Sequence, residues 1–258
     1  MEELLREDNG AVSTLTLNRP DQFNALSESL LAALSNAFND LAQSEHIQVV
    51  RLRANGRAFC AGHDLREMRS HPEESYYREL FQQCSSVMQQ VVLAPQVVIA
   101  EVHSIATAAG CQLAASCDLV VAARSARFAV SGINLGLFCS TPAVALSRRI
   151  GRGRAMKMLM TGEFVAAELA EQWGLADSLS EDDKLADTTQ ALIDQITSKP
   201  LAATRTGKSL FQAQLDADLA TAYALAGDAM ACNIMDEDAA EGIDAFLQKR
   251  RANFKNHS

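Results

Sequence analysis

The chain has 258 residues, 48% of them hydrophobic, and a formal net charge of −9 at pH 7. That is apolar material for one large core, with or without an appendage, and the acidic balance argues against a nucleic-acid partner, which needs a basic face. No apolar run approaches a membrane span, and the acidic start MEELLREDNG is unlike a basic signal or transit segment, so a cytoplasmic protein without a membrane partner is expected.

Val12 to Leu17 (VSTLTL) alternates and is rich in β-branched residues, which predicts a strand ended by Asn18-Arg19-Pro20-Asp21. Ser27 is placed to cap a helix carrying Leu30, Leu31, Leu34, Phe38 and Leu41 at three- and four-residue steps. Ile47 to Arg53 reads as a second strand, and Asn55-Gly56 as a turn. Phe59 to Leu65 (FCAGHDL) follows, with Gly62 allowing a backbone kink. Glu67 to Glu74 is polar, interrupted by Pro72, and reads as a surface loop that includes Glu73. Tyr77 to Leu93 reads as a helix and Val97 to Val102 as a buried strand. Between His103 and Gly136, Ala106-Thr107-Ala108-Ala109-Gly110 carries almost no side-chain volume. A small-residue turn opening a helix points free N–H groups outward, where they stabilise negative charge; tight packing of a helix on a sheet explains the same residues equally well. Leu113 to Ala115 reads as a short buried helix and Asp118 to Ala123 as a buried strand.

Downstream, Pro142 can open a helix reaching about Ile150. Helices are predicted over Ala155 to Thr161, Ala166 to Trp173 with Gly174 closing it, Lys184 to Thr197, Ala203 to Met230 and Glu237 to Lys249. Strands alternating with helices imply an α/β fold with a largely parallel sheet. The body runs over 1–178 and an all-helical part over 179–258. Of the six cysteines, Cys60, Cys111, Cys117 and Cys139 sit among apolar or small neighbours and none forms a C-x-x-C pair, so free thiols are expected. Five scattered histidines give no metal-ligand spacing, so no metal is expected.

Asn18-Arg19-Pro20 with Asn24-Ala25-Leu26, then Phe59 to Leu65, then Ala109-Gly110-Cys111-Gln112-Leu113-Ala114 with Cys117-Asp118 resemble, in that order, the motifs of the crotonase superfamily of enoyl-CoA hydratases and isomerases. Met160-Thr161-Gly162-Glu163, Gly174-Leu175-Ala176 and the tail Glu241-Gly242 to Arg250 extend the match over about residues 10 to 250. The details at His63 and Phe138 to Pro142 resemble the enoyl-CoA hydratase domain-containing protein 3 branch. The resemblance implies a crotonase-like spiral of strand–strand–helix repeats with a helical C-terminal trimerisation region, and a homo-oligomer, either a trimer or a dimer of trimers. It implies an acyl-CoA or enoyl-CoA thioester as ligand, with no cofactor beyond its CoA moiety.

By position, the resemblance places the thioester oxygen between the backbone amides of His63 and Ala109. It places CoA contacts at Asn24, Ala25, Leu26, Ala61, Gly62, Asp64, Leu65 and Arg66, the last within a local basic group of Arg51, Arg53, Arg57 and Arg69. Hydration needs a base for water and an acid for carbon, and the positions of the family's two glutamates hold Gln112 and Gly132. A third acid position falls near Ser140. His63 is a candidate substitute base, and Cys139 or Ser140 a candidate nucleophile. Glu74, Tyr76 and Tyr77 are expected in a solvated loop, and Glu101 and Asp118 in structural roles, at helix starts or in ion pairs. Three readings compete: a thioester lyase or isomerase with an unusual acid–base arrangement, a non-catalytic acyl-CoA-binding oligomer acting as scaffold or regulator, and a purely structural trimer with no ligand.

Overall fold

Three times the chain leaves a strand of a six-stranded sheet for a short strand of a four-stranded one. In the computed structural model, which describes residues 2–254, these pairs are β3 (Val49–Ala54) with β4 (Ala58–Cys60), β5 (Val97–Val102) with β6 (Ile105–Thr107), and β7 (Leu119–Ala123) with β8 (Arg127–Ala129). The larger sheet begins with β1 (Leu4–Asn9) and β2 (Val12–Leu17) and ends with β10 (Ser178–Ser180), in the order β1-β2-β3-β5-β7-β10. All its pairings are parallel except the β1–β2 hairpin. The smaller sheet runs β4-β6-β8-β9, closed by β9 (Val165–Ala166). Leu15, Leu52, Ala100 and Val120 stand in line across the larger sheet and are buried, as a parallel sheet covered on its faces requires.

Helices cover these strands. In α1 (Glu28–Gln43), Ser27 Oγ accepts from the Leu30 amide at 3.1 Å, and Leu30, Leu31, Leu34, Phe38 and Leu41 are buried, so the apolar stripe in the sequence is the face that packs. The stretch expected as a loop over 67–74 is instead α2 (Leu65–Ser70), a turn at Pro72, and the start of α3 (Glu74–Leu93). Asp64 accounts for α2, since its carboxylate accepts from the amides of Arg66 and Glu67 at 3.1 and 3.3 Å. All eight residues of α4 (Ala109–Ser116) are buried. Beyond it come α5 (Ser140–Arg149), α6 (Arg152–Thr161) and α7 (Ala167–Trp173), the last closed by Gly174 at φ 83°.

The boundary expected at 178 falls inside the last strand, and α8 (Leu185–Thr197) still buries Leu185, Thr189 and Ile193 in the body. The single helix expected over 203–230 is two, α9 (Leu201–Gln214) and α10 (Leu219–Asn233), because Asp218 caps a new start by accepting from Ala220 and Thr221. Lys208 of α9 fastens this region to the body: its buried ammonium donates to Asp118 at 2.7 Å and to the Gln96 carbonyl at 2.8 Å. Further out, α10 buries no residue, and Leu219, Tyr223 and Met230 on it, with Phe246 and Leu247 on α11 (Glu237–Leu247), are exposed. No helix among the described residues is long and apolar enough to cross a membrane. All six cysteines are free, Cys84 buried with the four expected and Cys232 exposed, and no cluster of metal-ligating side chains occurs among the described residues.

Candidate active site

Two strand ends and one helix start make a corner. Leu26 pairs with His63 as an isolated parallel bridge, the Leu26 amide donating to the Gly62 carbonyl at 2.7 Å and the Asp64 amide to the Leu26 carbonyl at 3.2 Å. A trans peptide aims its C=O and N–H in opposite directions. The Gly62 carbonyl faces Leu26, so the His63 N–H faces away from it, toward α4. There, Gly62 (φ 97°) lies so close that an added Cβ would stand 2.8 Å from the Ala108 methyl and 3.2 Å from the Ala109 nitrogen. Ala109 is the first residue of α4, and its N–H has no acceptor within the helix. Neither amide donates to another backbone group among the described residues. The corner therefore presents two N–H groups from adjacent segments.

Packing fixes this geometry. At Gly110 a Cβ would come within 2.1 Å of the Cys60 carbonyl oxygen, so the first turn of α4 sits directly against β4. Ala108 holds φ 50° and ψ −124°, a conformation natural to glycine, which costs an alanine about 1–3 kcal/mol. Its own amide is bonded to the Ala129 carbonyl at 3.0 Å. This strain turns the chain from β6 into α4 and leaves the Ala109 N–H outside the helix. The sequence marked the small residues and gave no sign of the strain.

Around the corner the side chains are neutral. Gln112, one turn into α4, is 4% exposed, and its Oε1 has no hydrogen-bond partner among the described residues. Thr107 Oγ1 and Ser131 Oγ are 2.9 Å apart, which brings the 3-10 turn Ser131–Leu135 to the end of β6. A Cβ on Gly132 would meet Cys139 Sγ at 2.7 Å and the Leu137 carbonyl at 2.8 Å; a larger residue there requires residues 137–139 to move. Cys139 is buried, which pushes its thiol pKa up, and a protonated thiol is a poor nucleophile. Ser140 is exposed at the start of α5, its hydroxyl turned to the Phe138 carbonyl at 3.3 Å. Both ring nitrogens of His63 are sealed from solvent without a partner among the described residues, and the ring meets Phe81 edge-on at 5.4 Å. Burial pushes its pKa down to about 4, the Leu26 backbone opposing only in part. At neutral pH the imidazole is uncharged and a weak base.

The residues expected to touch CoA divide into two sets. Asn24 is buried, and its carboxamide is used inside the chain: Oδ1 accepts from the Arg19 amide, and Nδ2 donates to the carbonyls of Asn55 and Ala58 at 2.7 and 2.8 Å. Ala25 and Leu26 are buried too. Asp64 is occupied by the α2 cap and by Arg19 at 3.1 Å. These four support the corner from behind, whereas Ala61, Leu65 and Arg66 are partly or fully exposed beside it. The basic group also separates. Arg51 is buried in an ion pair with Glu101, Arg53 donates to Thr16 Oγ1 at 3.1 Å, and Arg57 lies over the Phe23 ring at 5.0 Å. Glu101 and Asp118 are thus structural partners of Arg51 and Lys208. Tyr76 and Tyr77 belong to α3, their hydroxyls donating to Glu28 at 3.3 Å and the Met68 carbonyl at 3.0 Å; they are ordered, unlike a solvated loop.

Repeated crossings between two sheets, with helices laid over them, define the crotonase class of folds. The chain belongs to the enoyl-CoA hydratase/isomerase family, whose profile matches residues 7–257. Among curated relatives, rat enoyl-CoA hydratase domain-containing protein 3, mitochondrial, is 42% identical over 95% of this chain and 82% of its own. A crystal structure of an enoyl-CoA hydratase from Mycobacterium smegmatis superposes with a TM-score of 0.98 at 54% identity, covering all of both chains. The human domain-containing protein 3 structure gives 0.95 at 39%, covering 98% of this chain and all of that one.

Proposed function

We propose that this protein binds an acyl-CoA thioester with its carbonyl oxygen between the amides of His63 and Ala109, and that these amides stabilise the enolate or oxyanion formed from it. The observation that carries the reading is the convergence of two unpaired N–H groups at Gly62. Fixed donors aimed at a developing negative charge need no reorganisation, and each contributes about 3–4 kcal/mol in the transition state. Ala61, Leu65 and Arg66 border the path of the CoA moiety. The apolar surface of α10 and α11 is covered by further copies of the chain, as a trimer or dimer of trimers; light scattering that finds a monomer removes this part.

Gln112, Gly132 and Ser140 at the acid–base positions also favour the second reading, a non-catalytic thioester-binding oligomer. Thermal denaturation with propionyl-CoA and with free CoA tests the binding shared by both: at 100 times Kd the thioester should stabilise by about 2.7 kcal/mol. No shift with any thioester rejects the pocket. Hydration of crotonyl-CoA then separates ordinary hydratase chemistry, expected here to be slow, from the rest.

A further inference from the structure

We infer that the side chain of His63, backed by Phe81, closes the acyl end of the corner, so that the ligand is a short-chain acyl thioester, up to butyryl; the inference rests on the thioester reading above. A carbonyl carbon carries its two other substituents on opposite sides of the C=O axis. With the oxygen between the His63 and Ala109 amides, the sulfur and the acyl carbon therefore leave the corner in different directions. The CoA moiety carries phosphates that are costly to bury, so it takes the side open to solvent, where Ala61, Leu65 and Arg66 are partly or fully exposed. The acyl group takes the inner side. There the ring of His63 stands, both nitrogens sealed from solvent, edge-on to Phe81 of α3 at 5.4 Å. Ring and amide belong to one residue, so the ring lies beside whatever the amide holds. Burial keeps it uncharged, with a pKa of about 4, and an apolar group can rest against it without facing a charge.

The ring pair is braced. Tyr77 lies one turn before Phe81 on the same helix face, stacked on it at 6.5 Å, and its hydroxyl donates to the Met68 carbonyl at 3.0 Å. Tyr76 meets Tyr77 at 5.8 Å and His71 at 4.7 Å, and donates to Glu28 at 3.3 Å. A row of rings thus runs from His63 to the turn between α2 and α3, tied by two hydroxyls to α2 and α1. Beside Phe81 in α3, Leu80 and Cys84 are buried in the core, so no open space continues the path. In an open apolar channel each further methylene raises affinity about 4-fold. A closed end gives no such gain, because a longer chain must turn back toward solvent or displace packed rings.

The experiment is calorimetric titration of the purified protein with acetyl-, butyryl-, hexanoyl- and octanoyl-CoA, and with free CoA. In the wild type, affinity should rise from acetyl to butyryl and then stop, octanoyl-CoA binding no more than about 3-fold tighter than butyryl-CoA. In His63→Ala, which keeps the amide and removes the ring, and in Phe81→Ala, which removes its backing, octanoyl-CoA should bind about 10-fold tighter than butyryl-CoA, or more. The readout is a ratio within one variant, so a general loss of stability or of CoA affinity cancels. His63→Phe retains the bulk and should retain the wild-type ratio. A wild type that gains more than about 3-fold from butyryl to octanoyl overturns the inference, as does a ratio unchanged in both alanine variants, and either result leaves the thioester reading standing. Thioesters that bind no better than free CoA remove both.

Discussion

The amide corner at Gly62, His63, Ala108 and Ala109 and the side-chain wall of Gln112, Gly132 and Ser140 are built on opposite principles. The corner is made of backbone, and packing determines it several times over: the Leu26 bridge on one side, the Cys60 carbonyl under Gly110 on another, and the Ala129 carbonyl holding Ala108. The wall is made of side chains, and nothing in the fold dictates them. Gln112 has an unused oxygen, Gly132 has no side chain, and Ser140 faces solvent. Charge stabilisation by main chain persists wherever the fold persists. Proton transfer depends on single residues that can change without unfolding anything.

The harshest way to break the corner is Gly110→Val. With a Cβ only 2.1 Å from a backbone oxygen, either β4 or α4 must move; a loss of about 4 kcal/mol or more, or failure to fold, is expected in urea denaturation. The next effect is pH-dependent. The His63 pKa is lowered to about 4 in the fold, so between pH 6.5 and 4 the unfolded chain binds the extra proton. Stability should be full above pH 6.5 and fall by about 2 kcal/mol toward pH 4, allowing for solvent at the ring edge. His63→Phe should flatten that slope, and an unchanged slope would mean the ring is not sealed in solution. On the wall the sign reverses: Gln112→Leu removes a buried unpaired oxygen and should raise stability by about 1 kcal/mol, read as a higher denaturation midpoint. Smallest is Ala108→Gly, expected to stabilise by up to about 1 kcal/mol as relief of strain exceeds the added freedom of the unfolded chain. A loss there would show that the methyl contact with Gly62 matters more than the dihedral angles.

Long elements with clear periodicity were legible. The β2 strand, the buried stripe and Ser27 cap of α1, the strands near 97–102 and 119–123, and the glycine closing α7 all follow from local pattern. The strands β4, β6, β8 and β9 were not, because two or three residues show no period and exist only through their neighbours. The hairpin partner β1 was missed although Asn9-Gly10 before an alternating run is a hairpin signal; five of its six residues are exposed, and an edge strand without an apolar face reads as a tail. Asp64 and Asp218 were visible cap residues before α2 and α10, obscured by a polar stretch in one case and by a long stretch without a proline break in the other. The clustered arginines looked like one basic group, yet Arg51 pairs with Glu101 of the neighbouring strand, Arg53 with Thr16 and Arg57 with the Phe23 ring, partners that only the neighbouring segments supply.

By itself the sequence determined the α/β class and the family, since motif order and residue identity are properties of the string. Only the tertiary structure decided that the His63 and Ala109 amides lie on adjacent segments and donate to no backbone group among the described residues, that Ala108 is strained at this junction, that Asn24 and Asp64 support the corner from behind, and that Gln112 is buried with an unused oxygen. Each of these depends on distances between segments remote in sequence, and a backbone amide carries no mark in the sequence of whether the fold has given it a partner.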